Sequence, residues 1–122
     1  MIPAVNLLAA FEQVGRYWSP KVVGRVNDQF VKVAKLHGEL AWHQHDDEDE
    51  MFLVVRGALR IQFEDGPDAL LREGDFCVVP KGTLHNPVAE DDCWVVLIET
   101  VTTRHTGGVM APHTRSIAEQ RS

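Results

Sequence analysis

The chain has 122 residues, 44% of them hydrophobic, with 18 acidic against 12 basic side chains and a formal net charge of -6. That length suits one compact domain, and twelve scattered Lys and Arg in an acidic protein disfavour a surface for phosphate backbones, so no nucleic-acid partner is expected. There is no run of about 18 apolar residues, and Met1-Ile2-Pro3 lacks the basic start of a secretory signal, which predicts a cytoplasmic protein with no membrane partner.

In chain order, Asn6 is placed to cap a short helix from about Leu7 to Val14, with Leu7, Leu8, Phe11 and Val14 at helical spacing. Gly15 to Pro20 ends it, and from Lys21 the pattern changes to short β segments. Lys21 to Val26 and Gln29 to Leu36 flank a turn at Asn27-Asp28, with Phe30, Val31, Val33 and Leu36 as candidate packing positions. A strand after Gly38 is expected to carry Trp42, His43 and His45. Glu50 to Arg56 and Ala58 to Phe63 form a hairpin around Gly57, the second strand alternating Leu59, Ile61 and Phe63 against Arg60 and Gln62. Asp65 to Asp68 is a turn, Ala69 to Leu71 a short strand, Glu73-Gly74 a second turn and Asp75 to Val79 a further strand. Pro80-Lys81-Gly82 delivers His85, and Cys93 to Val101 closes the sheet. Short strands punctuated by Gly and Pro predict an all-β sandwich or barrel. The expected organisation is a helical segment at 1–19, a barrel at 20–101 and a polar tail at 102–122.

His43 and His45 lie two apart, so on a strand their imidazoles point to one side and can converge on one ion. His85 arrives from a separate segment. The run Asp46-Asp47-Glu48-Asp49-Glu50 offers a hard anionic oxygen, with Glu48, Asp49 and Glu50 all within reach; Asp46 to Asp49 otherwise read as a solvated turn. Cys77 and Cys93 sit in apolar segments without C-x-x-C spacing and read as reduced thiols. Trp42, Phe52, Phe63, Phe76 and Trp94 read as core, with one or two able to face a pocket. Arg56, Arg60 and Arg72 read as solvent-facing, and Gln62 as a pocket polar group if its side of the strand faces inward. His37, His105 and His113 have no partner at ligand spacing. Tyr17, the only tyrosine, precedes the barrel.

The two segments Gly38-x4-His43-x-His45-x4-Glu50-x6-Gly57 and Gly74-x5-Pro80-x-Gly82-x2-His85 resemble, in order and spacing, the paired motifs of the cupin superfamily. The likeness covers Gly38 to about Ala89. It departs in having four residues rather than five between Gly38 and His43, and Ala89 where the pattern has Asn. The resemblance implies a double-stranded β-helix, or jelly-roll, barrel with a short N-terminal helix. It also selects Glu50 from the acidic run, giving a metal set of His43, His45, Glu50 and His85 for one divalent transition metal, of which Fe, Mn, Ni, Co, Cu and Zn all suit imidazole with carboxylate. Four protein ligands on an octahedral ion leave two positions for water or substrate.

Phe52, Gln62, Cys77 and Trp94 are the candidate pocket residues, and no catalytic residue is evident beyond the ligands. Small cupins often carry the label mannose-6-phosphate isomerase-like, which is a likeness of superfamily, and fold does not fix function. Three functions compete: a metal-dependent oxygenase, isomerase or lyase on a small organic molecule, a non-catalytic module that binds or senses a small metabolite, and a structural cupin. The expected assembly is a homodimer through the first two strands.

Overall fold

Period-two patterning dominates the middle of the chain, and the computed structural model, which describes residues 1–103, turns it into seven antiparallel strands after one short helix. Asn6 does cap that helix, α1 (Leu7–Glu12): its side-chain oxygen accepts the Ala9 N–H at 2.9 Å. The helix stops short of Val14, yet Phe11 and Val14 both remain buried. The tail expected at 102–122 lies, from 104 onward, outside the described residues, as do His105 and His113.

The strands are β1 (Lys21–Val26), β2 (Gln29–Glu39), β3 (Glu50–Arg56), β4 (Leu59–Phe63), β5 (Gly66–Leu71), β6 (Phe76–Val79) and β7 (His85–Thr100). One sheet runs in the order β1-β2-β7-β3-β6, while β4 pairs with both β7 and β5. The length of β7 lets it serve both halves of the jelly roll. Its last eight residues, Cys93 to Thr100, lie between β2 and β3, whereas His85 to Val88 pair with β4. Sequence reading placed a strand only from Cys93, because Asn86-Pro87 and Glu90-Asp91-Asp92 look like loop. The strand tolerates them since the three acidic residues are exposed and Pro87 lies buried within the pairing to β4. Pro67, expected in a turn, is likewise in a strand; β5 has only β4 as neighbour, and an edge strand can spare an N–H.

Alternation sorts the side chains into two apolar clusters. Ala34 and Leu36 of β2, Phe52 and Val54 of β3, Leu59 and Ile61 of β4, Leu71, Val79, and Ala89, Cys93, Val95 and Leu97 of β7 fill the barrel, with Trp18 packed among them. The other face of the sheet carries Val33, Val96 and Trp94, and α1 lies over it through Phe11, whose ring stacks on Trp94 at 5.0 Å between centroids. The expected packing set in β2 thus divides: Phe30 and Leu36 share one face of the strand, Val31 and Val33 the other. Burying a Phe or Leu side chain contributes about 1.5–3 kcal/mol, so both clusters are substantial. Trp42 and Phe76, expected in the core, are exposed at 45% and 63%. No helix among the described residues is long and apolar enough to cross a membrane.

Candidate metal centre

His43 and His45 are not on a regular strand, contrary to the sequence expectation. Residues 40–49 form an irregular loop, held by its backbone to the segment that carries His85. The His43 N–H donates to the His85 carbonyl and the His85 N–H to the His43 carbonyl, each at 2.9 Å. Gly82 N–H donates to the His45 carbonyl at 2.8 Å, and the Lys81 N–H to Asp49 Oδ1 at 2.9 Å. Gly82 makes its turn at φ +76, a conformation that L side chains rarely adopt. These four hydrogen bonds clamp one ligand-bearing loop onto the other, and β3 then begins at Glu50. Asp49 has thereby a structural task, while Asp46 and Asp47 are exposed as a solvated turn would be.

The clamp brings one ligand atom from each of His43, His45, Glu50 and His85 within 4.8 Å of one another, all four residues being buried. His45 Nε2 and His85 Nε2 stand 3.5 and 3.9 Å from Glu50 Oε1. His43 Nδ1 and His85 Nδ1 each lie 2.8 Å from a backbone carbonyl, of Ala41 and Thr83 respectively. That contact makes Nδ1 the N–H side of each ring and turns a lone pair on Nε2 inward. His85 Nε2 and both ring nitrogens of His45 are buried without a hydrogen-bond partner. Orphaned buried imidazole nitrogens are costly. A divalent ion with bonds of about 2.0–2.2 Å spaces its ligand atoms roughly 3–4 Å apart, so small side-chain rotations would satisfy His85 Nε2 and one ring nitrogen of His45. The residues present therefore fit the group that the sequence pattern implies.

Burial pushes His43 down from 6.5 to about 4, with His85 beside it adding to the effect, so the ring is neutral and able to ligate at neutral pH. Glu50 is buried, which alone would raise it; its electrostatic interactions with Glu99, His45 and His85 outweigh burial and hold it well below the usual carboxylate range. Glu99 moves the opposite way, raised by burial and by the charge of Glu50 against the opposing pull of Lys32.

Of the candidate pocket residues, Phe52 lies beside the four, its ring 6.4 Å from that of His85. Together with His43, Glu50, Trp18, Leu36 and Leu97 it lines an apolar cavity of about 20 Å³, room for roughly one water. Cys77 pairs with Phe52 across β6 and β3 and packs toward the barrel core. Gln62 faces away: it accepts a hydrogen bond from Asn86 at 2.9 Å on the opposite side of β4 and β7 from Phe63 and His85. Trp94 is also on the outer face, between Phe11, Lys35 and Arg56, the last at 4.0 Å from its ring. Odd-numbered β7 residues point into the barrel and Trp94 is out of step with them. Arg60 pairs with Asp68 at 3.1 Å at the surface, and Tyr17 donates to Asp92 on the outside. Lys32 and Glu99 were missed by sequence reading although they keep step with inward residues of their strands: Lys32 with Phe30 and Ala34, Glu99 with Val95 and Leu97.

Residues 29–101 match the model of the cupin domain. The chain belongs to the cupin family. This cupin is 41% identical over 80 residues to the uncharacterised protein YdbB of Bacillus subtilis, spanning 66% of the chain and 71% of that protein. A cupin-2 domain protein from Shewanella frigidimarina has a crystal structure with TM-score 0.76 and 38% identity, covering 79% of this cupin and 93% of the other chain. The fold alone is shared with hydroquinone 1,2-dioxygenase of Sphingomonas sp. TTNP3, solved with 4-hydroxybenzoate bound, at 21% identity and TM-score 0.74 over 81% of this cupin and 32% of that chain.

Proposed function

We propose that this cupin holds one divalent transition metal on His43, His45, Glu50 and His85 and acts as a metal-dependent enzyme, an oxygenase, isomerase or lyase, on a small organic molecule. The observation that carries the reading is the set of buried imidazole nitrogens without partners gathered around one ionised carboxylate. A stability role alone leaves those groups unsatisfied. A bound ion would supply Lewis acidity and, if redox-active, electrons. The chain supplies the rest. Carbonyls of Ala41 and Thr83 orient two of the rings, Glu50 contributes the negative charge, and Phe52 with the apolar cavity wall keeps bulk water from that side.

The free thiols Cys77 and Cys93 support a reducing, cytoplasmic location. For assembly, we propose a homodimer through β1 and β2, supported by β1 having, among the described residues, a strand partner on one side only, and by the 63% exposure of Val26 on it.

The test is elemental analysis of protein from metal-replete growth, followed by oxygen uptake and product analysis over diketones, phenols, thiols and amino acids. One metal per chain and turnover of one class are expected. Metal-free protein that also takes up nothing on titration overturns the reading; stoichiometric metal with no turnover of any compound would leave a binding module instead.

A further inference from the structure

The small cavity beside the ligands has a wall that the four-residue site does not use. Its volume is about 20 Å³, and it touches two of the ligands, His43 and Glu50, but neither His45 nor His85. The rest of the wall comes mainly from the barrel core, through Trp18, Ala34, Leu36, Phe52, Val95 and Leu97, all of them buried. The cavity therefore lies on the core side of the ligand cluster. Trp18 adds one polar atom to these hydrocarbon surfaces, and its indole N–H already donates to the His37 carbonyl at 2.7 Å.

The size suits a water but the wall does not. A buried water ordinarily makes about three hydrogen bonds. His43 offers it none, because Nδ1 lies 2.8 Å from the Ala41 carbonyl and Nε2 is the ligating nitrogen. What remains is the carboxylate of Glu50, whose Oε1 stands 3.5 Å from His45 Nε2. One acceptor group against hydrocarbon holds a water poorly, and cavities lined in this way stay dry and take up apolar guests such as xenon. Nor does the gap serve the fold, since interiors are close-packed and atoms that line a void lose dispersion contacts. Ala34, 0% exposed, is the smallest side chain of the wall, and a larger aliphatic residue there would extend into the gap. The space is too small for an organic substrate and too apolar for a hydrogen-bonding one. A diatomic gas, little longer than a water and without its need for partners, meets both conditions.

We propose that this cavity is a binding site for dioxygen, kept against the side chains of His43 and Glu50 as a co-substrate. The inference rests on the metal reading above and deepens it, because an oxygenase consumes such a gas whereas an isomerase or lyase has no use for one. The organic substrate has to reach the ligand cluster from another side.

Dioxygen is paramagnetic and speeds the relaxation of nuclei beside which it resides. Methyl NMR of the full-length, Zn(II)-loaded protein under dioxygen pressure, with metal content checked by elemental analysis, therefore tests the site. The methyls of Leu36, Val95 and Leu97 should relax at least about threefold faster than those of Val33 and Val96, which are as deeply buried on the other face of the sheet. Ala34→Leu fills the gap and should abolish that difference; if overpacking unfolds it, Ala34→Val, with less added volume, should still reduce the difference. Equal relaxation in the two clusters of the wild type overturns the proposal. So does water-to-methyl cross-relaxation at Leu36 and Leu97, which marks a hydrated cavity, and so does a folded Ala34→Val with the wild-type difference intact. A wild type that takes up no divalent metal brings down the metal reading and the dioxygen site together, whereas equal relaxation in fully loaded protein leaves the metal reading standing and sinks the dioxygen site alone.

Discussion

Glu50→Gln keeps the size of the side chain and removes its charge, so it separates the role of Glu50 from that of the acidic run before it. Asp47 is exposed and Glu48 half-buried, and neither belongs to the buried cluster. Glu50→Gln is expected to lower metal affinity at least about tenfold, while Asp47→Asn and Glu48→Gln change it by less than about twofold, as surface charges do. Equal losses in all three, measured by titration against a competing chelator, would show the carboxylate assignment to be wrong. His43 supports a second expectation, for metal-free protein. Its folded pKa of about 4 lies below the ordinary 6.5, so the unfolded chain binds the extra proton first as pH falls. Stability contributed by neutral His43 is therefore present above about pH 6.5 and is lost as pH drops toward 4, by about 3 kcal/mol in all. Urea melts of chelator-treated protein at several pH values should slope less steeply for His43→Gln than for wild type; parallel slopes would refute the assignment. At this scale the sequence was legible where a residue type repeats a known spacing, as at the three histidines. It was mute on Lys32 and Glu99, because charged residues are nearly always solvated and only their parity with Phe30, Ala34, Val95 and Leu97 marked them as inward.

Elements were readable where alternation is strong and misread where a loop is held by backbone bonds instead. Leu59, Ile61 and Phe63 located β4 to within one residue. The stretch from His43 to His45 keeps the alternation of a strand, with both histidines buried and Gln44 half-buried between them, yet its one regular partner is His85. Nothing local distinguishes such a bridge from a strand. Trp18 was passed over for a similar reason: it follows a helix stop and takes φ 55, but its ring plugs the barrel and its indole N–H donates to the His37 carbonyl at 2.7 Å. The expected hairpin around Gly57 does not form: β3 pairs with β6 and β7 and β4 with β5 and β7, so Gly57 instead turns the chain from one strand to another that does not pair with it. Gly57 has φ +85, and a Cβ there would run into the Asp92 carbonyl oxygen. Gly57→Ala should cost about 1–2 kcal/mol for the left-handed backbone and about 1–3 more for the clash. A chemical-denaturation midpoint within error of wild type would show that the β3 to β4 connection adapts more freely than its packing against β7 suggests.

The whole molecule poses the question of its edges. Among the described residues β1 of the main sheet pairs only with β2, and the helix lies over the sheet face rather than along that edge, through Phe11 on Val33, Val96 and Trp94. Among the described residues nothing pairs with the outer backbone groups of β1, and Val26 at the tip is exposed. A free edge with apolar side chains invites association, and two-fold closure between identical edges satisfies both copies at once. The prediction is a dimer of twice the 13.7 kDa chain mass in light scattering at micromolar concentration. Val26→Asp, which places a charge on that edge without touching either apolar cluster, should shift the mass toward one chain on dilution while leaving metal content unchanged, because the ligands all come from one chain. Deleting residues before Ser19 should leave the dimer in place if β1 and β2 form the contact, though it exposes the sheet face. A single-chain mass for the wild type at all concentrations would refute the assembly, and a dimer indifferent to Val26→Asp would move the contact away from β1.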